Sequence, residues 1–288
     1  MDYLYIIFKA VVQGITEFLP VSSSGHLLVF GHFFEPREDS LLLIIVLHLG
    51  TLVAVFIAFR DIVFGMIKEF FLTIADIFTG KFKWSKMNDN RKMLFMTIIA
   101  TSLLLPVYLF AKDYVTAPVK SGDIIFTGSA FIFTAILLFI SDACVKGIKT
   151  GKNMKITDAV TIGLFQCVAL FPGVSRSGST ITGGLLCGFS KQTAVAFSFM
   201  LSIPAILGGG LLEMREAFQG DIVLNYPELL IGFVVSAAVG FLAIKLVKII
   251  AQKEKFKIFG IYTAILGMLC IAWGILENMD LVTFFNIN

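Results

Sequence analysis

Apolar residues in this chain come in long runs, not in the alternation of a strand or the narrow stripe of a soluble helix. A helix needs about 20 apolar residues to cross the hydrocarbon of a bilayer. Six runs meet that length, at roughly residues 40–59, 93–111, 124–141, 194–212, 229–250 and 258–276. The stretch 61–92 mixes charges with FFLTIADIF and reads as an interfacial amphipathic helix followed by a loop. Two further apolar regions, 3–34 and 156–189, are long enough to span but are interrupted by PVSSSG and PGVSRSGS. Proline removes a backbone donor, glycine adds freedom, and serine competes for backbone hydrogen bonds. Such a break is tolerated at membrane depth only where protein or a wet cavity covers it. Each interrupted region therefore predicts a helix, a loop and a second helix that enter and leave by one face. The expected fold is an all-α polytopic membrane protein, one domain over 1–288, with six transmembrane helices and two re-entrant helix pairs.

Charge fixes the expected orientation. With both interrupted regions re-entrant, 17 of the 23 basic residues, from Arg60 to Lys257, fall on one side. The side of the N-terminus carries Arg37, Lys112, Lys120 and Arg215, and Lys9 and Arg176 lie inside the re-entrant regions. The positive-inside rule makes the basic side cytoplasmic and places both termini outside. The N-terminus lacks the basic region, apolar core and cleavage site of a signal peptide, and Glu17 and His26 interrupt the place of that core.

A shift of 153 residues brings Gln13 onto Gln166, Phe18 onto Phe171, Ser22 onto Ser175, Ser24 onto Ser177 and Gly25 onto Gly178. The order of elements repeats as well: an interrupted region, then three spans. Three is odd, so the second copy is expected upside down, giving inverted repeats over 1–142 and 153–280. Inverted repeats bring two broken helices together near the midplane, where a site forms.

Composition narrows the class. The chain is 57% hydrophobic and 15% charged, against about a quarter charged in soluble domains. A net charge of +3, scattered along the chain, gives no nucleic-acid partner. Cys144, Cys167, Cys187 and Cys270 form no CxxC pair and have no histidine at ligand spacing, which excludes a metal–thiolate centre.

The chemistry sits in the two interruptions. Arg176 is an ionisable residue at membrane depth, a functional signal in itself, and its fork of donors suits phosphate oxygens. Ser175, Ser177, Ser179 and Thr180 surround it, and the backbone near Gly178 opens a helix whose amides can form an anion nest. The structural alternative is an arginine paired only with Glu17 to hold the repeats together. In the first interruption Glu17 and His26 bracket Ser22, Ser23, Ser24 and Gly25. A hydroxyl becomes a nucleophile when a base takes its proton, and Glu17 or His26 can serve. The structural alternative is a set of capping serines and a satisfied histidine. Gln13 lies one turn before Glu17, placed to orient that carboxylate or to help hold a cation. His48 sits mid-segment, where cavity lining and packing are equally good readings, and His32 reads as interfacial. The residues alone fit a phosphatase and an anion or lipid transporter equally.

QGITEFLPVSSSGH and LFPGVSRSGSTITGG resemble the two signature segments of the undecaprenyl-diphosphatase, or bacitracin resistance, family, and the similarity covers essentially the whole chain. The resemblance implies a bacterial inner-membrane enzyme that hydrolyses undecaprenyl diphosphate to undecaprenyl phosphate and phosphate, recycling the lipid carrier of cell-wall synthesis. It implies dependence on a divalent cation, Mg²⁺ or Ca²⁺, with Gln13 and Glu17 at the positions of the family's paired acidic or amide residues. It places the catalytic serine at Ser23, the histidine at His26 and the arginine at Arg176, with the site opening to the outer face. Many members carry Glu at the position of Gln13 and Thr at that of Ser24.

Overall fold

The structure is a computed structural model and describes residues 3–34, 41–121, 123–144, 146–217, 225–253, 255–279 and 281. Arg37 lies outside the described residues, as does the side chain of Lys120. Among the described residues every regular element is helical, apart from an isolated bridge between Lys149 and Phe189.

The first interrupted region forms α1 (Tyr3–Phe18) and α2 (Ser23–Phe33), the second α8 (Ile156–Val168) and α9 (Arg176–Leu186). At 16, 11, 13 and 11 residues, these run about 16–24 Å, short of a hydrocarbon core of about 30 Å. Six candidate spans follow the expected runs: α3 (Leu41–Ala58), the pair α5 (Asp89–Ser102) and α6 (Leu104–Ser121), α7 (Ile124–Ala143), α10 (Lys191–Ala217), α11 (Tyr226–Gln252) and α12 (Lys257–Asn278). The stretch after α3 holds α4 (Arg60–Phe78) and a short 3-10 turn at Trp84–Lys86.

One expected span differs. The run 93–111 is not one helix, because the chain breaks at Leu103 between α5 and α6. Pro106 explains the break: it has no N–H, and its ring clashes with the carbonyl four residues back, at Ser102. Beside the break, the Leu103 carbonyl accepts a hydrogen bond from the Cys167 thiol at 3.4 Å.

The core lies among α1, α3, α10 and α11. Phe18 and Phe59 both meet Phe199 edge-on, at 5.4 and 5.2 Å between ring centroids; such pairs add about 0.5–1.5 kcal/mol beyond area burial. α7 and α12 cross at a reciprocal glycine contact. A Cβ built at Gly128 would lie 2.7 Å from the Gly267 carbonyl oxygen, and one built at Gly267 would lie 2.7 Å from that of Gly128. Ion pairs tie α4 to α5 and the segment before α8 to its first turn: Arg91 bonds Glu69 and Asp76 at 2.6 Å each, and Lys149 meets Asp158 at 3.0 Å.

Candidate active site

The two loops are built alike. Ser22 caps α2, its Oγ accepting from the Gly25 amide at 3.3 Å; Ser175 caps α9, its Oγ accepting from the Gly178 amide at 3.1 Å. In each loop the cap hydroxyl lies against the serine two residues on, Ser24 at 3.3 Å and Ser177 at 3.2 Å. Ser22, Ser24 and Gly25 thus hold positions equivalent to those of Ser175, Ser177 and Gly178, whereas Gln13 bonds Glu17 and the aligned Gln166 side chain has no hydrogen-bond partner. Backbone conformation separates the loops. The second turns through Gly173 at φ +89°, whereas the first places Ser22 itself at φ 72°. A side chain held there costs about 1–3 kcal/mol, a strain that recurs at functional sites.

The loops touch directly. Ser177 Oγ donates to the Leu19 carbonyl at 3.1 Å, and the Gly173 amide donates to Ser24 Oγ at 3.3 Å. Arg176 Nη2 donates to Glu17 Oε1, an ion pair across 159 residues of sequence. Thr134 of α7 steadies the second loop by accepting from the Ser175 amide at 3.0 Å.

Glu17 is the centre of the arrangement. Its Oε2 accepts from Ser23 Oγ at 2.7 Å and from Gln13 Nε2 at 2.9 Å, and its side chain is 4% exposed. The Ser23 hydroxyl therefore donates its proton to a buried carboxylate, the geometry of a nucleophile beside its base. The Arg176 pair supplies the opposite charge that burial of this carboxylate requires. That pair uses one arm of the guanidinium; Nη1, also buried, has no hydrogen-bond partner.

These groups face a cavity of about 300 Å³. Glu17, Ser22, Ser23, Ser24, Ser175 and Arg176 line its polar end, with Thr16 and His48. Ile45, Leu49, Leu170, Ala205 and Ile206 make the remainder apolar, and Glu213 stands on the wall as well. Gln13 lies behind Glu17 and holds it, outside the lining. Gly25 packs against Phe131 and Gly173. Ser177 and Gly178 are spent on the loop contacts described above, Thr180 bonds Ser198 Oγ at 2.7 Å, and Ser179 is fully buried. The second loop thus gives the cavity Ser175 and Arg176, while its other polar groups serve packing.

The two histidines exchange standing. His26 does not line the cavity: its Nδ1 donates to the Ser22 carbonyl at 2.7 Å and its Nε2 accepts from Tyr262 Oη at 2.8 Å. His48, which the sequence leaves between lining and packing, is on the wall. Its Nδ1 donates to the Ile44 carbonyl at 2.9 Å. A carbonyl only accepts, so Nδ1 carries a proton, and Nε2 lies 3.8 Å from Glu17 Oε2. Among the described residues no three His, Cys, Asp or Glu side chains converge on a metal position. An orphaned acceptor is present instead: Gln13 Oε1 is buried without a partner, because its amide nitrogen is committed to Glu17.

Six apolar helices of spanning length, around a buried Glu17 bonded to Ser23 and Arg176, define a polytopic membrane protein. The profile of the bacitracin resistance protein BacA family matches residues 6–269, and the chain belongs to that family. Its relatives carry a consistent name. The undecaprenyl-diphosphatase of Alkaliphilus metalliredigens is 42% identical over 94% of this chain and 98% of its own length. That of Methanobrevibacter smithii is 37% identical over 93% and 96%. Undecaprenyl-diphosphatase 4 of Bacillus thuringiensis is 34% identical over 94% and 97%.

Proposed function

We propose that this protein is a membrane phosphatase that hydrolyses undecaprenyl diphosphate to undecaprenyl phosphate and inorganic phosphate, returning the lipid carrier to cell-wall synthesis in a bacterial cytoplasmic membrane. The observation that carries the reading is the Ser23–Glu17–Arg176 cluster, where a serine donates to a buried carboxylate beside a guanidinium arm without a partner. Relatives named for this activity along nearly their whole length favour it over a transporter.

The free Arg176 arm, aided by the cavity hydroxyls, holds the terminal phosphoryl oxygens. Glu17 takes the Ser23 proton as Oγ bonds to the terminal phosphorus and the bridging P–O bond breaks, releasing the lipid monophosphate; water then attacks the phosphoserine, the Oγ–P bond breaks, and the Ser23 hydroxyl is restored as inorganic phosphate leaves. A water in the place of Ser23 Oγ would react by the same geometry. Catalysis here is chiefly positioning and charge stabilisation. His26 acts through its hold on the Ser22 backbone, and His48 Nε2 is the ring nitrogen that meets cavity water. Glu17 and the orphaned Gln13 Oε1 are hard oxygen donors that fit Mg²⁺ or Ca²⁺. When bound, such a cation supplies neutralising charge to the diphosphate. Release of phosphate from purified wild-type protein, abolished in Ser23→Ala and Glu17→Gln, tests the reading; binding of the lipid without release overturns it.

The architecture proposed with it is two inverted repeats, 1–142 and 153–280, each a re-entrant pair followed by three spans. Two features support this: the matched caps of the loops, and the reciprocal Gly128–Gly267 crossing, the contact a two-fold axis generates between equivalent helices. We place both termini outside and the cavity open to the outer face. Glu213, near the Arg215 end of α10, lines the cavity on that side.

A further inference from the structure

A second concavity lies further along α10. This groove of about 660 Å³ runs between α4, α5 and α10. Its walls are almost wholly apolar, with Val63 and Ile67 of α4, Ile98 of α5, and Met200 and Ile203 of α10. Thr97, Thr101 and Ser102 of α5 stand on its wall. The Thr97 and Thr101 hydroxyl oxygens are buried without a hydrogen-bond partner, so the surface the groove presents is apolar.

The groove continues the site. Met200, Ile203 and Pro204 line it, while the next residues along α10, Ala205, Ile206, Gly209 and Gly210, line the catalytic cavity. Ile203 and Gly210 are seven residues apart, so they lie within about 20° of one another on the helix surface. Their separation along the axis is about 10 Å. A Cβ built at Gly210, on that face, comes no closer than 3.8 Å to a neighbour, Ile45 of α3. The polar end of the path is the Arg176 cluster and the far end is hydrocarbon-lined, the polarity of a lipid whose head is a diphosphate.

We infer that the groove between α4, α5 and α10 seats the isoprenoid tail of the substrate, with the chain passing from the catalytic cavity along the Gly210–Ile203 face of α10. This rests on the lipid-diphosphatase reading above. The diphosphate head held in the catalytic cavity ties this lipid, and not a phospholipid acyl chain, to the groove, and the apolar walls seat its hydrocarbon tail.

The test compares two substrates that share a head and differ in tail: undecaprenyl diphosphate, and farnesyl diphosphate with three isoprene units. Ile98→Trp and Ile67→Trp fill the groove from positions 49% and 42% exposed, outside the catalytic cluster. Each is expected to raise KM for the long lipid at least tenfold, with kcat unchanged and with both constants for the short lipid unchanged. Ile261→Trp, on α12 and 50% exposed, should alter neither and serves as the bilayer-facing control. An equal KM change for both lipids, or no change for either, overturns the groove. A photoreactive group at the far end of a long-chain prenyl phosphate should label peptides of α4, α5 or α10, and labelling confined to other helices also overturns it. If wild type releases phosphate from neither lipid, the diphosphatase reading fails, and the labelling decides the groove by itself.

Discussion

The two loops share a cap, a serine pair and a helix start, yet they do different work. The first turns its chemistry toward the cavity: Ser23 and Ser24 are accessible, and Glu17 lies just behind them. The second turns inward: Ser177, Ser179 and Thr180 are at most 5% exposed, and what it contributes is chiefly one guanidinium arm. The difference teaches that duplicated local structure need not duplicate function. The first loop leaves Ser23 and Ser24 open to the cavity, and the second uses Ser177 and Thr180 in internal hydrogen bonds.

The largest expected break is in the first loop. Ser23→Ala should lower turnover by at least a hundredfold, the lower end of what losing a proton-transfer partner costs, while Ser22→Ala and Ser24→Ala lose far less. Initial rates of phosphate release on folded protein check this. Three equal losses would make the loop a binding nest with no distinct nucleophile. Next comes the charge of the second loop. Arg176→Lys keeps the charge but loses the fork, and with it a charge-assisted hydrogen bond of about 1.5–3 kcal/mol, so turnover should fall at least tenfold. Wild-type turnover in that variant would remove Arg176 as the phosphate clamp.

The histidines sharpen the comparison further. His48→Asn removes a cavity-facing nitrogen and should reduce kcat several-fold, with thermal stability unchanged. His26→Asn breaks two internal hydrogen bonds and should lower Tm with a smaller effect on kcat. Ser177→Ala should have the smallest effect, a loss of about 0.5–1.5 kcal/mol of stability from the contact to Leu19, with turnover near wild type. Orientation is checked separately, in a Cys-free background. Tyr226→Cys should react with an impermeant thiol reagent in intact cells, and Lys152→Cys and Lys253→Cys only after lysis.

Hydropathy located the spans because crossing a membrane demands length and apolarity, and both are local properties. The interruptions were legible for the same reason, since Pro, Gly and Ser mark breaks wherever they fall. Pro106 carried the same kind of signal, but the apolar run on both sides of it masks the break at Leu103. The partner of Arg176 was foreseeable, because a buried charge needs one and Glu17 was the available carboxylate. The division of labour between His26 and His48 was not. His48 reaches Glu17 because α1 and α3 both press on α11: a Cβ at Gly14 would lie 3.0 Å from the Ser236 carbonyl oxygen, and one at Gly50 would lie 2.1 Å from Ser236 Oγ. That register comes from packing between distant segments, and no local pattern encodes it. The threonines of the α5 groove are hidden likewise, because periodicity gives a face but not what stands opposite.

The Glu17–Arg176 pair also sets a schedule for the growing chain. The carboxylate is synthesised 159 residues before its counter-charge, which at about 5–20 residues per second is an interval of roughly 10–30 s. Throughout that time the carboxylate lacks its counter-charge, and an unpaired charge is expensive inside the hydrocarbon. The first loop must therefore wait in water or at the interface, or enter protonated, until the second half of the protein arrives. Biogenesis of the site is thus a late event, gated by translation of the second loop. A ribosome-arrested chain ending before Arg176 should leave a cysteine at Ser23 open to aqueous thiol reagents, and the completed chain should slow that reaction.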